Sequence, residues 1–527
     1  MRPAADPIEL ARRFFDERGI EAHVVGGRVR DALLGRATFD TDVVVHCGAL
    51  DMAREMSRVS GGALVPLDAE RGIARVVWSA EGGATRTLDL ADMVGPDLAA
   101  DLRARDFTVN AMAAPVSGHW PPDEQIIVDP CDGKVDLAAR TLRMTSAAAL
   151  DADPLRLVRA VRLATELGFS IDPATAAAIA VRADSAARPA AERLRDELLR
   201  LVAAPGTAQG VTAMYQLGLL QRILPELAEC RSSPKRGTGA RWGRDVLGHS
   251  LEVTAATETI LTALAPTERE MRAGEASDGA ADVPPGGAAE VPEEYMALLR
   301  RYAGPLREHL YGSAMSGHPR AVHLELAALL HDIGRPACRS RRDPAGAIAE
   351  PGRTGTTPEA PPPMAAHADV GAERGEVLAD RLRLSRRETQ YLTTLTRLHP
   401  RPLAMARADG ATRAAVYDYF AAAGSSGVDV ALLSLADNAV KRHMGQETVA
   451  AVADVVDRLL HAWFFERRTA VEPVPLLRGD EIMSELGLPP GPEIGRVLDA
   501  LRRAQAEGRV NDRGGALELA RREAGTS

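Results

Sequence analysis

Val24-Val-Gly-Gly-Arg-Val-Arg-Asp31, followed by Phe39-Asp-Thr-Asp42, decides how this chain is read. Two valines close a strand, Gly26 and Gly27 turn it, and a helix begins at Arg28. Glycines let an anion approach the backbone N–H groups of such a turn. Arg28 and Arg30 add positive charge there. A tight strand-to-helix turn that simply needs glycine is the plainer alternative. Asp40 and Asp42 then enter the next strand. Residues i and i+2 of a strand face the same side, so the two carboxylates project together. Adjacent carboxylates repel unless a cation joins them. Mg²⁺, ligated by oxygen and bridging phosphates, is the natural partner. Asp89, in Thr87-Leu-Asp-Leu-Ala91, offers a third carboxylate as metal ligand or base. A surface acid on an edge strand is its alternative.

Outward from this stretch, residues 1–145 read as mixed α/β. A helix is expected over Ile8–Arg18, and strands over Ala22–Val25, Asp42–His46, Ala63–Pro66, Ala74–Trp78 and Arg86–Leu90. Arg103-Ala-Arg-Asp-Phe-Thr-Val-Asn-Ala-Met112 adds Arg105, suited to a triphosphate, and Asp106 and Asn110, suited to ribose hydroxyls. From Ser146 the pattern turns helical. Leu155, Val158, Leu163 and Leu167 recur at helical spacing until Gly168 stops them, and Glu192–Leu201 is a second amphipathic helix. Segments near 266–292 and 343–363, rich in Ala, Gly and Pro, read as disordered insertions in a longer helical region.

Composition narrows the classes. The 527 residues are 46% hydrophobic, enough for several packed domains. No apolar run approaches the roughly 18–20 residues of a membrane helix, and the charged start lacks a secretory pattern. A cytoplasmic protein without a membrane is therefore expected. Four cysteines without CxxC spacing exclude a disulfide scaffold and a zinc knuckle. A net charge of −9 excludes a histone-like nucleic-acid coat, though a local arginine groove can still bind RNA. Only Lys134, Lys235 and Lys441 among the 64 basic residues are lysine. Arginine forks onto phosphate, but codon bias explains the excess equally well. Aromatics at 4% argue against base stacking as the main binding mode.

Together these motifs resemble the class II nucleotidyltransferase head of bacterial CCA-adding enzymes and poly(A) polymerases. The resemblance implies an α+β fold: a head with a small mixed sheet and helices, then an all-α neck, an HD domain and a tail. It implies that Asp40 and Asp42 bind catalytic Mg²⁺ and that Asp89 is the activating carboxylate. Gly26, Gly27, Arg28, Arg30 and Asp31 would surround the triphosphate, and Arg105, Asp106 and Asn110 would contact the incoming nucleotide. Asp151-Ala-Asp-Pro-Leu-Arg-Leu-Val-Arg-Ala-Val-Arg162 resembles the family's Glu-Asp-x-x-Arg helix, whose Asp and Arg pair with the base. Asp153 and Arg156 match, while Ala152 stands where the family has Glu, so base choice is less firmly implied than transfer. Arg159 joins the nucleotide set. Arg156, Arg159 and Arg162 recur every three residues, and a solvated basic stripe is the alternative reading. Glu192-Arg-Leu-Arg-Asp-Glu-Leu198 is read as packing.

A second constellation lies in the middle of the chain. His249 sits in Leu247-Gly-His-Ser-Leu251, His331 and Asp332 in Leu329-Leu-His-Asp-Ile-Gly334, and His367, His399 and Asp437 follow in helical contexts. Such donors suit a divalent transition metal. The set resembles the HD phosphohydrolase superfamily. By that resemblance His249, His331, Asp332 and Asp437 hold one metal, and His367 and His399 match the extra histidines of two-metal members.

The tail, Pro475-Leu-Leu-Arg-Gly-Asp-Glu-Ile-Met483 and Leu488-Pro-Pro-Gly-Pro-Glu-Ile-Gly495, resembles the RNA-binding module of these transferases. Arg496, Arg502, Arg503 and Arg509 would reach backbone phosphates. The implied division is 1–145 head, 146–240 neck, 241–465 HD domain and 470–522 tail. The implied reaction is template-independent addition of all or part of CCA to tRNA 3′ ends from CTP and ATP. A poly(A) polymerase or A-adding enzyme is one alternative. An HD phosphohydrolase with a non-catalytic RNA-binding head is another.

Overall fold

A computed structural model describes residues 6–36, 38, 40–79, 85–231, 245–266, 289–340, 363–408, 410–441 and 445–525. Two compact units emerge, one from Met1–Ile223 and one from Leu224–Ala265 with Gly287–Ser527. The inserted residues 267–288 and 343–362 lie outside the described set, as does Phe39.

The first unit carries a six-stranded mixed sheet. Its strands are β1 (Ala22–Val25), β2 (Asp40–Val45), β3 (Ala63–Asp68), β4 (Ile73–Ser79), β5 (Thr85–Asp92) and β6 (Ala113–Pro115), in spatial order β3-β4-β5-β2-β1-β6. Only β2 and β5 run parallel. β-Branched valines at 24, 25, 43, 44 and 45 fill its core. In β2, alternation buries Thr41 and Val43 and turns Asp40 and Asp42 outward. The strand starts at Asp40 rather than Asp42, because Asp40 already pairs with Thr87 of β5.

Helices follow, chiefly Leu155–Leu167, capped by Gly168 in the left-handed region, and Ala191–Val202. The neck is not wholly helical: its Ser170–Ile171 pairs in parallel with Thr141–Leu142 at the end of the head. Among the described residues, the second unit is helical apart from one hairpin, Ala314–Met315 with His318–Pro319. Arg413–Ala439 has the length and mean hydropathy of a membrane span, but 72% of its apolar window is buried within the protein. It is two helices separated at Gly424–Ser426. The tail holds Gly479–Leu486, Pro492–Ala506 and an additional helix, Arg513–Glu523. Leu477, Ile482, Val497, Leu501 and Leu519 form its small core.

Candidate active site and candidate metal centre

The head site grows from strand register. Asp42 of β2 lies opposite Asp89 of β5, and Asp89 lies opposite Arg75 of β4. Asp40 accepts a 2.7 Å hydrogen bond from Thr87 Oγ1. Asp42 keeps a solvent-exposed face although protein crowds around it, as at the floor of a recess. Desolvation there, and then the charge of Asp89, pushes its carboxyl up to about 6. Crowded carboxylates of this kind fit a Mg²⁺ ion, which supplies the charge they lack. Asp89 is not free: Arg75 grips both its oxygens, at 2.7 and 2.8 Å.

Gly26, at φ +73°, brings the turn to the same place. A Cβ there would lie 3.4 Å from Arg105 Nη1 and 3.5 Å from Asp42 Oδ2. Arg105 donates Nε and Nη2 to Asp101, which leaves its Nη1 end toward Gly26. Gly26→Ala forces an unfavourable backbone and narrows this opening. We expect kcat/KM for nucleotide incorporation to fall about 100-fold, measured on a trimmed tRNA acceptor.

The structure corrects the place expected for Arg28 and Arg30. Residues two apart on a helix point in nearly opposite directions, so both cannot face one phosphate. Arg28 is buried, 2.8 Å from Asp6 and over the ring of Trp120. Arg30 is buried against Asp31 at 2.7 Å and donates 2.7 Å to Asn110 Oδ1. Asp31 is itself mostly buried in that pair.

Asp106 and Asn110 are also buried and internally bonded. Asp106 Oδ1 accepts from Phe107 N at 2.8 Å and from Asn110 Nδ2 at 3.3 Å, while Oδ2 faces Arg159 Nε at 2.8 Å. Asp153 caps Leu155 N and pairs with Arg193 at 2.6 Å. Arg156 donates one Nη1 to the carbonyls of Ala104 and Ala149. The three-residue arginines do not form one solvated stripe. Spaced three apart they stay neighbours on the helix, but Arg156 turns to two carbonyls, Arg159 to Asp106, and Arg162 is buried on Glu197 at 2.9 Å.

Glu197 was read as packing, yet it receives Arg162 and lies 3.8 Å from Arg159. Its signal was present: an acid on the apolar stripe of Leu194, Leu198 and Leu201. Glu197→Gln takes one of two acids from buried Arg162, which keeps Glu166 at 2.5 Å. We expect a loss of about 2 kcal/mol, read from the urea midpoint.

In the second unit the six expected residues converge. Asp332 is fully buried. Its Oδ2 faces His331 Nε2 at 3.4 Å and His249 Nε2 at 3.7 Å, and its Oδ1 faces His367 at 3.4 Å and His399 at 3.7 Å. Asp437 Oδ1 lies 3.0 Å from His249 Nε2 and 4.0 Å from His331 Nε2. His331 and His399 each engage a carbonyl through Nδ1, at 2.8 Å from Ala328 O and Thr396 O. That bond fixes the tautomer and aims the Nε2 lone pair inward, as a metal ligand requires. His331 Nε2 and Asp332 Oδ1 are buried without a hydrogen-bond partner, while Asp332 Oδ2 lies against Arg335 Nε. The donor set therefore fits a divalent transition metal. Burial opposes charge on His331, but Asp332 outweighs it and raises this imidazole. Burial, then the charge of His331, pulls His399 down to about 3. Gly334 of the His-Asp-Ile-Gly stretch packs backbone to backbone; a Cβ would collide with His367 O and Gly371 N.

The four tail arginines carry acids: Arg496 pairs with Glu493, Arg502 with Asp499, Arg503 with Asp418 and Glu507, and Arg509 with Glu507. Such exposed pairs contribute little and exchange readily.

The chain is similar to known proteins over nearly its whole length. Residues 22–143 match the "Poly A polymerase head domain" profile and 168–231 match "Probable RNA and SrmB- binding site of polymerase A". A CC-adding tRNA nucleotidyltransferase of Geobacter sulfurreducens is 31% identical over 94% of this chain and 90% of its own. An A-adding tRNA nucleotidyltransferase of Deinococcus radiodurans is 32% identical over 93% and 92%. The fold is also that of a solved CCA-adding enzyme in complex with CTP, at TM-score 0.56 and 19% identity, covering 99% of this chain and 96% of that one. Near-full-length likeness to such transferases, on a head whose β2 presents paired aspartates, means that the chain is an enzyme belonging to the class II tRNA nucleotidyltransferase/poly(A) polymerase family.

Proposed function

We propose that this enzyme adds all or part of CCA to tRNA 3′ ends from CTP and ATP, without a template, in the cytoplasm. The observation that carries the reading is the outward pair Asp40 and Asp42 in a recess shared with Asp89 and Arg105. Mg²⁺ held by Asp40 and Asp42 supplies the charge that sharpens the RNA 3′-hydroxyl and offsets charge on the transferred phosphate. The 3′-oxygen bonds to the α-phosphorus and pyrophosphate leaves. Arg105 meets the triphosphate through Nη1. Arg75 holds both oxygens of Asp89 in place beside the metal ligands. Arg159, held by Asp106 and Glu197, adds positive charge near Asp42. Asp153 and Arg156 read the base edge once Asp153 releases Arg193.

CC-adding and A-adding relatives are almost equally similar, so the extent of addition is settled by assay. Labelled CTP and ATP are offered with tRNA lacking CCA, CA or the final A. We expect C, A or both to be added and synthesis to stop at the mature end. Long A tracts would make it a poly(A) polymerase, and no incorporation on any acceptor overturns the proposal.

The six-residue cluster supports a second reading for the other unit, metal-dependent hydrolysis of a phosphoester. His249, His331, Asp332 and Asp437 would hold one metal, with His367 and His399 on the far oxygen of Asp332. A transition metal bound there would lower the pKa of water toward neutrality and polarise a phosphoryl oxygen.

A further inference from the structure

We propose that the centre around Asp332 and Asp437 binds its metal and a phosphate-type anion cooperatively, and that Lys441 couples the two. The inference rests on reading this cluster as a metal site, and its ground is charge balance. Each carboxylate already faces a protein cation. Lys441 Nζ lies 2.5 Å from Asp437 Oδ2, and Arg335 Nε lies 2.5 Å from Asp332 Oδ2. Asn438 Oδ1, 3.3 Å away, steadies the ammonium, and Asn438 is itself tied to Ser434. The Lys441 side chain is 22% exposed and that of Asp437 only 5%. Lys441 is thus the more exposed member of the pair on Asp437 Oδ2, while Asp437 Oδ1 faces His249.

Asp437 would offer a metal among the imidazoles its Oδ1, because Lys441 engages its Oδ2. With neutral histidines, the two acids and two cations leave these donors without net charge. A divalent ion therefore adds uncompensated positive charge to a buried place, which is costly unless an anion joins it. A phosphomonoester or phosphodiester supplies that anion, and Lys441 is the cation it meets from solvent. Coupling of this kind is reciprocal: phosphate must tighten the metal as the metal tightens phosphate. A lysine that merely closes the end of its helix has no such effect.

The test uses full-length chain carrying Asp42→Asn, so that the head takes up no metal, with Lys441→Met and Lys441→Arg added in turn. Mn²⁺ is titrated calorimetrically with and without inorganic phosphate. With Lys441 present, phosphate tightens Mn²⁺ about tenfold. Lys441→Met binds Mn²⁺ alone about threefold more tightly, because a like charge is gone, and loses most of the phosphate effect. Lys441→Arg keeps it. Weaker Mn²⁺ binding by Lys441→Met with the phosphate effect intact overturns the inference and leaves a structural lysine. Metal uptake without any phosphate effect overturns the coupling alone. No uptake at all overturns the metal reading and the coupling together. Unchanged melting temperatures confirm that the variants fold.

Discussion

Asp42→Asn should abolish nucleotide incorporation, by about a thousandfold or more in kcat, while leaving the fold as stable as before. The two halves of this expectation have one cause. Asp42 stands against Asp89 and Asp40 in a desolvated recess, so its charge is unfavourable to the folded chain. An amide removes that repulsion and fits the same volume, so the melting temperature without Mg²⁺ should stay level or rise. The same amide cannot bring the negative charge that Mg²⁺ needs beside a triphosphate. Single-turnover incorporation of labelled CTP and ATP, alongside thermal melts with and without Mg²⁺, measures both. Residual activity within tenfold of the parent would remove Asp42 from the metal-binding role. A large fall in melting temperature would make it a structural acid.

Asp332→Asn should cost the second unit its metal, with affinity weaker by about 100-fold or more. Asp332 is the one residue whose two oxygens face both groups of histidines, His249 and His331 on one side and His367 and His399 on the other. Losing its charge leaves Asp437 as the remaining carboxylate of the cluster to balance a divalent cation held among neutral imidazoles. Metal content after dialysis against Co²⁺ or Ni²⁺, and metal-dependent hydrolysis of a phosphoester, should fall together. Incorporation of CTP and ATP by the head should not change. Equal metal content in parent and variant would remove Asp332 from the metal-binding role.

Much of the head was legible because its signals are contiguous. Valines, a glycine pair and alternating aspartates specify strand, turn and strand within a score of residues. The convergence of the second centre was harder to see. His249 and Asp437 touch across 188 residues of sequence, and each histidine alone is unremarkable in a helix. Their side-chain identities could be picked out, but not that Asp332 turns one oxygen to each histidine group.

What sequence alone determined is the alternation that puts Asp40 and Asp42 on one face and the periodicity that makes the rest helical, since both depend on backbone geometry over a few residues. What only the tertiary structure decided is the partner of each charge. Arg28 went to Asp6, Arg30 to Asn110, Arg75 to Asp89 and Arg162 to Glu197. A guanidinium is drawn to whichever carboxylate the packed chain leaves nearest in a poorly solvated place, and no local pattern of residues encodes that distance.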